Sequence, residues 1–469
     1  MALITNFPGE DIPKGTILGK KGETLVKMCR WDLPVPPGII LGAQICQDIK
    51  NQGITPKIKA ELNKHLIWLC KHTGKKFGGR PPQMVSVRSS PTQSMPGMMD
   101  TILNVGITPK DIPSLSSYTG NSKFPLDCWI RLLRSYQEII FKKKPSPLLK
   151  PNASILEMQK TAEDLQKSCD SQILRNPFKQ LEQSILAIIG SWENPRAVNY
   201  RKKNNIPGEN AAAVIIQSMV FGNLPNSYSG VVFSRSPVNG EKELFGEFIK
   251  STQGTDIVNG QHTPKNLSEF PDSKILQEIK NTCSLLENYY RDAQDVEFTI
   301  EEGKLYILQS RIAKRTKAAA TKIADDFLNE GLITLSEYEK RIPKTKTKPQ
   351  KTTIPKNKKP ITKGTPACPG IAKGKLCTDP EDTTEGPKIL VRPDTNPEDI
   401  HYLDQFEAII TQAGGITSHA ALISREIEKP CICAINNIHI KGKNVWINDQ
   451  KVEKDTMVYI NANTGEIFI

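Results

Sequence analysis

The stretch Gly414-Gly415-Ile416-Thr417-Ser418-His419-Ala420-Ala421 constrains this chain more than any other. A β-type run, Phe406 to Thr411, feeds into it, and a helix-type run, Ala420 to Glu428, leaves it. His419 therefore falls where a strand hands over to a helix. Unpaired backbone N–H groups gather at such a junction, and the helix dipole favours an anion there. Two glycines let the backbone come close to a phosphate, and Thr417 and Ser418 are candidate N-caps. A neutral imidazole in this setting is a plausible phosphoryl acceptor. A helix-capping turn with an incidental histidine accounts for the same residues.

Composition narrows the classes. The 469 residues imply about two to four domains. No apolar run approaches the ~20 residues of a membrane span, and the first residues carry no charged n-region or long apolar h-region, so neither a membrane anchor nor a signal peptide is expected. The ten cysteines are scattered, with Cys431-x-Cys433 the only close pair and no CxxC, which fits free thiols in a reducing cytoplasm. Of the net charge of +13, eight charges come from lysines between Pro343 and Gly364, a segment without acids. Such a tract reads as a solvated, self-repelling tether. It lacks aromatics for base stacking, so a nucleic-acid partner is not expected.

Along the chain, Gly19-Lys20-Lys21-Gly22 opens a helical stretch, and Leu33 to Gly38 is a turn-rich lead into the strand Ile39-Ile40-Leu41. A glycine-flanked lysine before a helix can hold a phosphate, although surface lysines near turns are common. Met84 to Ser90 is a β-run containing Arg88. An arginine at a strand end can clamp polyphosphate bidentately or serve a structural ion pair. Ser94 to Asn104 reads as a Met-rich turn before a helix. Residues 106 to about 200 are helix-patterned, with apolar residues at three- and four-residue spacing in Trp129–Phe141 and Leu181–Trp192. From Ala211 the pattern turns β, through Gln217, Met219 and Val220. Asp295–Ile300 and Leu305–Arg311 read as a hairpin. Period two puts Asp295 and Glu297 on one face, and Gln309 and Arg311 on one face of the next strand. Carboxylates with an amide oxygen suit a hard cation such as Mg²⁺; alternating acids on the wet face of a strand are the bland alternative. Phe327 to Ile342 is helical. The lysine tract follows, and a small β-rich domain starting at Gly364 encloses His419.

These motifs, in this order, resemble the pyruvate, phosphate dikinase family. Gly414 to Arg425 followed by Lys429-Pro430-Cys431 is similar to its phosphohistidine motif, and Gly19 to Gly22 followed by Leu33-Pro34-Val35-Pro36-Pro37-Gly38 to its nucleotide-binding start. Ser94-Met95-Pro96-Gly97-Met98-Met99-Asp100 resembles the dikinase rather than phosphoenolpyruvate synthase, which implies inorganic phosphate as a substrate. Two positions depart: Lys20 stands where the family has glycine, and Thr255 where it has an acid.

The resemblance implies a multidomain α/β and α+β chain. An ATP-grasp nucleotide-binding region spans 1–312, with a helical insert over about 106–200. A helical and lysine-rich hinge covers 313–363, and a swivelling β/β/α phosphohistidine domain 364–469. It implies ATP and inorganic phosphate as ligands and His419 as the phosphorylated nucleophile. Lys21, Arg88 and Arg311 would contact phosphates, and Gln217, Met219 and Val220 would lie along the adenine. Glu297 and Gln309 would bind Mg²⁺, with Asp295 beside them. Thr417 sits where some family members are regulated by phosphorylation; a capping role accounts for it as well. The resemblance covers only the first part of the family enzyme, so the phosphoenolpyruvate/pyruvate-binding barrel is expected on another polypeptide. A dikinase or phosphocarrier with another acceptor, and a non-catalytic nucleotide-binding remnant, are the alternative readings.

Overall fold

The computed structural model describes residues 4–469 except 10, 11, 13, 14, 96, 145–148, 150–152, 209–211, 254–263, 343–351, 356, 396–398, 400, 401 and 454. Thr255 and most of the lysine tract therefore lie outside the described residues. The chain divides into two compact units, 1–220 and 221–469. Among the described residues, no helix is long and apolar enough to cross a membrane. All ten cysteines are free thiols.

The first unit is built on an antiparallel sheet of five strands: β1 (Ile4–Phe7), β2 (Gly38–Leu41), β3 (Val85–Ser90), β4 (Thr101–Val105) and β5 (Ala213–Ser218), in the order β1-β2-β5-β3-β4. β3 and β5 are buried along their whole length, the polar Arg88 and Gln217 included. Thr101–Val105 is a strand and not the helix expected after the Met-rich turn. Ile102 and Val105 pack inward, β-branched residues suit a pleated surface, and the turn itself buries Met95 and Met98.

Helix α1 (Gly19–Arg30) lies on this sheet, burying Leu25 and Met28. The helical insert supplies α2 (Lys123–Ser135), which runs into a π-helical turn at Tyr136–Ile140, and α3 (Pro177–Gly190). The two sequence-expected helical runs fall on α2 and α3 with their extensions. Pro177 opens α3, and the Asn176 side chain accepts from the Phe178 and Lys179 N–H groups. Gln180 is fully buried and satisfied. Its carbonyl accepts from Gly106 N–H, and its amide donates to the Ile107 and Leu174 carbonyls, all at 2.8 Å.

The second unit contains another five-stranded antiparallel sheet: β6 (Tyr228–Phe233), β7 (Phe245–Lys250), β8 (Lys265–Asn266), β9 (Gln294–Glu301) and β10 (Lys304–Ile312), in the order β10-β9-β6-β7-β8. Helix α4 (Ser273–Tyr290) precedes β9, and α5 (Lys317–Asn329) follows β10. The run Phe327–Ile342 is not one helix. Gly331, at φ +71°, ends the α5 segment, and Leu335–Arg341 restarts behind a Thr334–Glu337 capping box.

The chain then forms an eight-stranded mixed sheet. Its strands are β11 (Pro360–Lys363), β12 (Thr365–Cys368), β13 (Ile371–Cys377), β14 (Lys388–Arg392), β15 (Ala408–Thr411), β16 (Cys431–Cys433), β20 (Met457–Asn461) and β21 (Glu466–Phe468). A separate three-stranded sheet holds β17 (Ile438–Lys441), β18 (Asn444–Ile447) and β19 (Gln450–Lys451). β13 to β16 are mutually parallel. Both faces of the eight-stranded sheet are buried. Ile389, Val391 and Ile410 face one apolar cluster, while Leu390, Ile409 and Cys431 face the other. Helix α6 (His419–Ile427) crosses between β15 and β16 and packs Ala420 and Ala421 into the second cluster. A β-α-β crossover of this kind puts the helix N-terminus beyond the carboxyl ends of the strands, where ligands of parallel sheets bind.

Candidate active site

In the first unit the lysine turn is locked onto the end of β3. Ser90 Oγ accepts from Gly22 N–H at 2.9 Å and donates to the Leu18 carbonyl at 2.8 Å. Lys20 N–H donates to the Pro91 carbonyl. Gly19 is required there. Its φ is +69°, and a Cβ would stand 1.8 Å from the Ser90 carbonyl oxygen. Lys21 is thereby fixed on the first turn of α1, half-buried, while Lys20 is exposed. Arg88 is buried on β3, and its Nη2 donates to Gln217 Oε1 on the adjacent strand β5 at 2.7 Å. Gln217 in turn donates to the Pro36 carbonyl. Its side chain thus orients Arg88, a role that its position in an apolar run did not suggest. Met219 N–H is held by the Met84 carbonyl, and Val220 follows half-buried just beyond β5.

In the second unit the hairpin residues meet as rungs. Gln309 lies opposite Glu297, and Arg311 opposite Asp295. Arg311 Nε donates to Asp295 Oδ2 at 2.7 Å, Arg311 Nη2 lies 3.7 Å from Glu297 Oε1, and Gln309 Nε2 lies 3.4 Å from the same oxygen. The Asp295 carboxylate holds the Arg311 guanidinium protonated, above its ordinary range. Burial lifts the Asp295 carboxyl in spite of that neighbour, and its Oδ1 is buried without a hydrogen-bond partner. Among the described residues, no group of three His, Cys, Asp or Glu could hold a metal by itself. The Glu297 and Asp295 carboxylates, the latter with its unpartnered oxygen, and the Gln309 amide oxygen are nonetheless hard donors that fit Mg²⁺ arriving with a polyphosphate.

His419 is the first residue of α6, behind Ser418, whose hydroxyl caps the helix by accepting from Ala421 N–H. Gly414, at φ +87°, turns the loop. His419 Nε2 is buried and has no hydrogen-bond partner. Burial pulls the imidazole below its ordinary range, against the opposing charge of Asp399. A neutral, unencumbered nitrogen at a helix N-terminus is a competent nucleophile.

Sequence reasoning missed two residues around this loop. Glu247, buried on β7, accepts from Ile416 N–H at 3.0 Å and from Thr417 N–H at 3.1 Å and hydroxyl at 2.8 Å. Gly415 makes that approach possible, since a Cβ would lie 2.1 Å from Glu247 Oε1. Arg425, fully buried on α6, donates to the Ile416 carbonyl at 2.8 Å and lies 5.1 Å from the Phe233 ring centroid. The signal for Glu247 was present: a lone acid between Phe245 and Ile249 on one face of a strand, where both neighbours pack into an apolar cluster.

Residues 42–275 and 268–331 match the pyruvate phosphate dikinase AMP/ATP-binding domain, and residues 384–465 match the mobile domain of PEP-utilising enzymes. The chain belongs to the pyruvate, phosphate dikinase family. Its curated relatives include pyruvate, phosphate dikinases of Rickettsia typhi (38% identical over 495 residues), Rickettsia prowazekii (38% over 491) and Giardia intestinalis (37% over 491). These alignments cover 97%, 97% and 96% of this chain but 56%, 56% and 55% of the respective relatives, so the chain spans about half their length. His419 falls inside the mobile-domain match, and the β9–β10 hairpin inside the AMP/ATP-binding match.

Proposed function

We propose that this chain carries out the histidine-phosphorylating half of the pyruvate, phosphate dikinase reaction. The observation that carries this reading is the buried, unpartnered His419 Nε2 at the start of α6. Nε2 attacks the β-phosphorus of ATP and breaks the bond to the α-phosphate oxygen, releasing AMP and leaving a pyrophosphoryl-histidine. Inorganic phosphate then attacks the terminal phosphorus and breaks its bond to the oxygen that bridges to the histidine-bound phosphorus, so that pyrophosphate forms and departs and phosphohistidine remains. Protons released from the imidazole and from phosphate pass to solvent.

Each residue set has a role of its own. Arg88, oriented by Gln217, and Lys21, fixed by Gly19 and Ser90, spread the negative charge of the phosphates. Backbone of the Gln217–Val220 segment lines the adenine. Arg311, aligned by Asp295, meets charge that develops on the transferring group. Glu297 and Gln309 would hold Mg²⁺, which when bound neutralises the phosphate oxygens. The swivelling segment begins at about Gly364, behind the lysine tract, and brings His419 to its donors and acceptors. Pyruvate would be served by a phosphoenolpyruvate/pyruvate-binding barrel, either joined to this sequence or on a separate polypeptide.

The test is incubation with Mg²⁺, phosphate and ATP labelled at the β-phosphate, with His419→Ala in parallel. Acid-labile, base-stable label on the wild type alone, with stoichiometric AMP, supports the reading. Bound ATP without label would instead establish a nucleotide-binding remnant.

A further inference from the structure

The donors that should greet a phosphoryl group at the His419 loop are already engaged. The Ile416 and Thr417 N–H groups and the Thr417 hydroxyl all converge on Glu247, whose two oxygens accept all three. Every one of these partners donates, which is the pattern of an ionised carboxylate rather than a protonated one. Burial pushes the Glu247 carboxyl up, while the three donors and the Arg425 charge pull it down. Glu247 therefore sits in the loop's own anion-binding nest, two residues from the nucleophile.

We propose that Glu247 is a latch that reads the charge of the loop: it holds the unphosphorylated His419 loop on β7 and releases it once the histidine carries a phosphoryl group. This rests on His419 being the phosphorylated residue. A phosphoryl group brings about two negative charges to the loop whose donors one carboxylate already holds. Its natural donors are occupied, and like charges in low dielectric repel strongly. Undocking resolves both problems, because the Ile416 and Thr417 donors become available to the phosphoryl oxygens as they leave Glu247. Beside the buried approach of Arg425 to Phe233 and the packing of Leu422, two ion pairs of the docked state are suited to reversible release. Lys314 to Glu426 and Lys317 to Glu428, at 2.6 and 2.7 Å, are solvent-exposed or half-exposed pairs, and such pairs hold weakly. Charge on the histidine thus directs movement of the loop without any change elsewhere.

Hydrogen exchange of the full chain tests this without nucleotide. His419→Asp places a negative charge at the nucleophile, and His419→Asn is its neutral counterpart. The latch predicts exchange at residues 413–425 and 245–250 accelerated by about tenfold or more in His419→Asp and unchanged in His419→Asn; in a Glu247→Gln background, where the lost acceptor oxygen opens the latch itself, it predicts equally fast exchange whichever residue stands at position 419. Equal exchange in the Asp and Asn variants, or a gap between them that persists undiminished in the Glu247→Gln background, overturns the proposal. A parallel sample with Mg²⁺, phosphate and ATP separates the two readings. Label on His419 with unchanged protection overturns the latch, whereas absence of label refutes the phosphorylation reading and leaves the variant comparison to decide the latch.

Discussion

Arg311 and Asp295 face each other across the β9–β10 hairpin, with the guanidinium Nε donating to the carboxylate at 2.7 Å. They meet because of a bulge. From Lys304 to Ile307 the hairpin is regular, with Ile307 opposite Phe298, and the register then shifts so that Gln309 opposes Glu297. Without the extra residue, Gln309 would oppose Val296, on the other face from Glu297. One inserted position therefore aligns both polar rungs on one face.

Asp295→Asn removes the charge that Arg311 is paired with while keeping the side chain's shape. The hydrogen bond weakens, and the guanidinium loses its fixed direction. We expect destabilisation of about 1–3 kcal/mol, and a fall in AMP release on the order of a hundredfold if Arg311 meets the transferring group. Thermal denaturation and single-turnover AMP release measure the two effects. Full activity in Asp295→Asn would remove Arg311's orientation from the mechanism.

Much of this site was legible in the sequence. Period-two alternation placed Asp295 with Glu297 and Gln309 with Arg311, and the glycine-rich junction placed His419 at a helix start. The bulge was not legible, because alternation within each strand is the same with and without it, and only pairing reveals the register. Glu247 stood out as a lone acid on an apolar strand face, but what it binds was hidden for a related reason. Its partners are backbone groups 169 and 170 residues away, and no local pattern encodes them. Thr101–Val105 was misread because the methionines before it resemble the lead-in to a helix, while the five-residue strand is too short to show a clear period. Gly331, between two helical patterns, was a visible stop signal.

Arg235 should be among the most sensitive positions for stability. Its side chain is fully buried and bonds to Glu287 at 3.0 Å, to Glu330 at 3.0 Å and to Asp326 at 3.4 Å, with the guanidinium 4.3 Å from the Phe327 ring centroid. Arg235→Ala leaves three carboxylates facing a cavity. A loss of about 3–5 kcal/mol is expected, read as a lowered urea midpoint in the transition that reports α4 and α5. Arg235→Lys should recover only part of it, because an ammonium cannot span the three acids.

Gly19→Ala tests how Lys21 is positioned. The new Cβ would collide with the Ser90 carbonyl in a left-handed backbone conformation, so α1 must shift away from β3. Lys21 moves with it. Nucleotide affinity measured by calorimetry should fall on the order of tenfold to a hundredfold, with β3 and the Arg88–Gln217 bond intact. Gly53→Ala is the control, since that glycine also has a positive φ, at +74°, but has nothing within 4 Å of its Cβ position. It should cost stability without affecting nucleotide.

Burial of His419 sets a pH signature. Its folded-state pKa lies below the ordinary value of 6.5, so the imidazole stays neutral where an exposed histidine would be half protonated. The rate of AMP release should therefore stay level as pH falls from 8 to about 6.5 and decline only below that. Stability follows the same linkage with a definite sign. Below 6.5 the unfolded chain binds a proton at this position before the folded chain does, so unfolding is favoured progressively as pH falls towards the depressed folded value. Above 6.5 neither state carries the proton, and the contribution is absent. His419→Asn removes the titrating group. The wild type should thus lose stability relative to His419→Asn between pH 6.5 and the depressed value, and the two should run parallel at higher pH. Parallel curves throughout would mean that the imidazole is solvated in the folded protein, and the desolvated nucleophile would have to be abandoned.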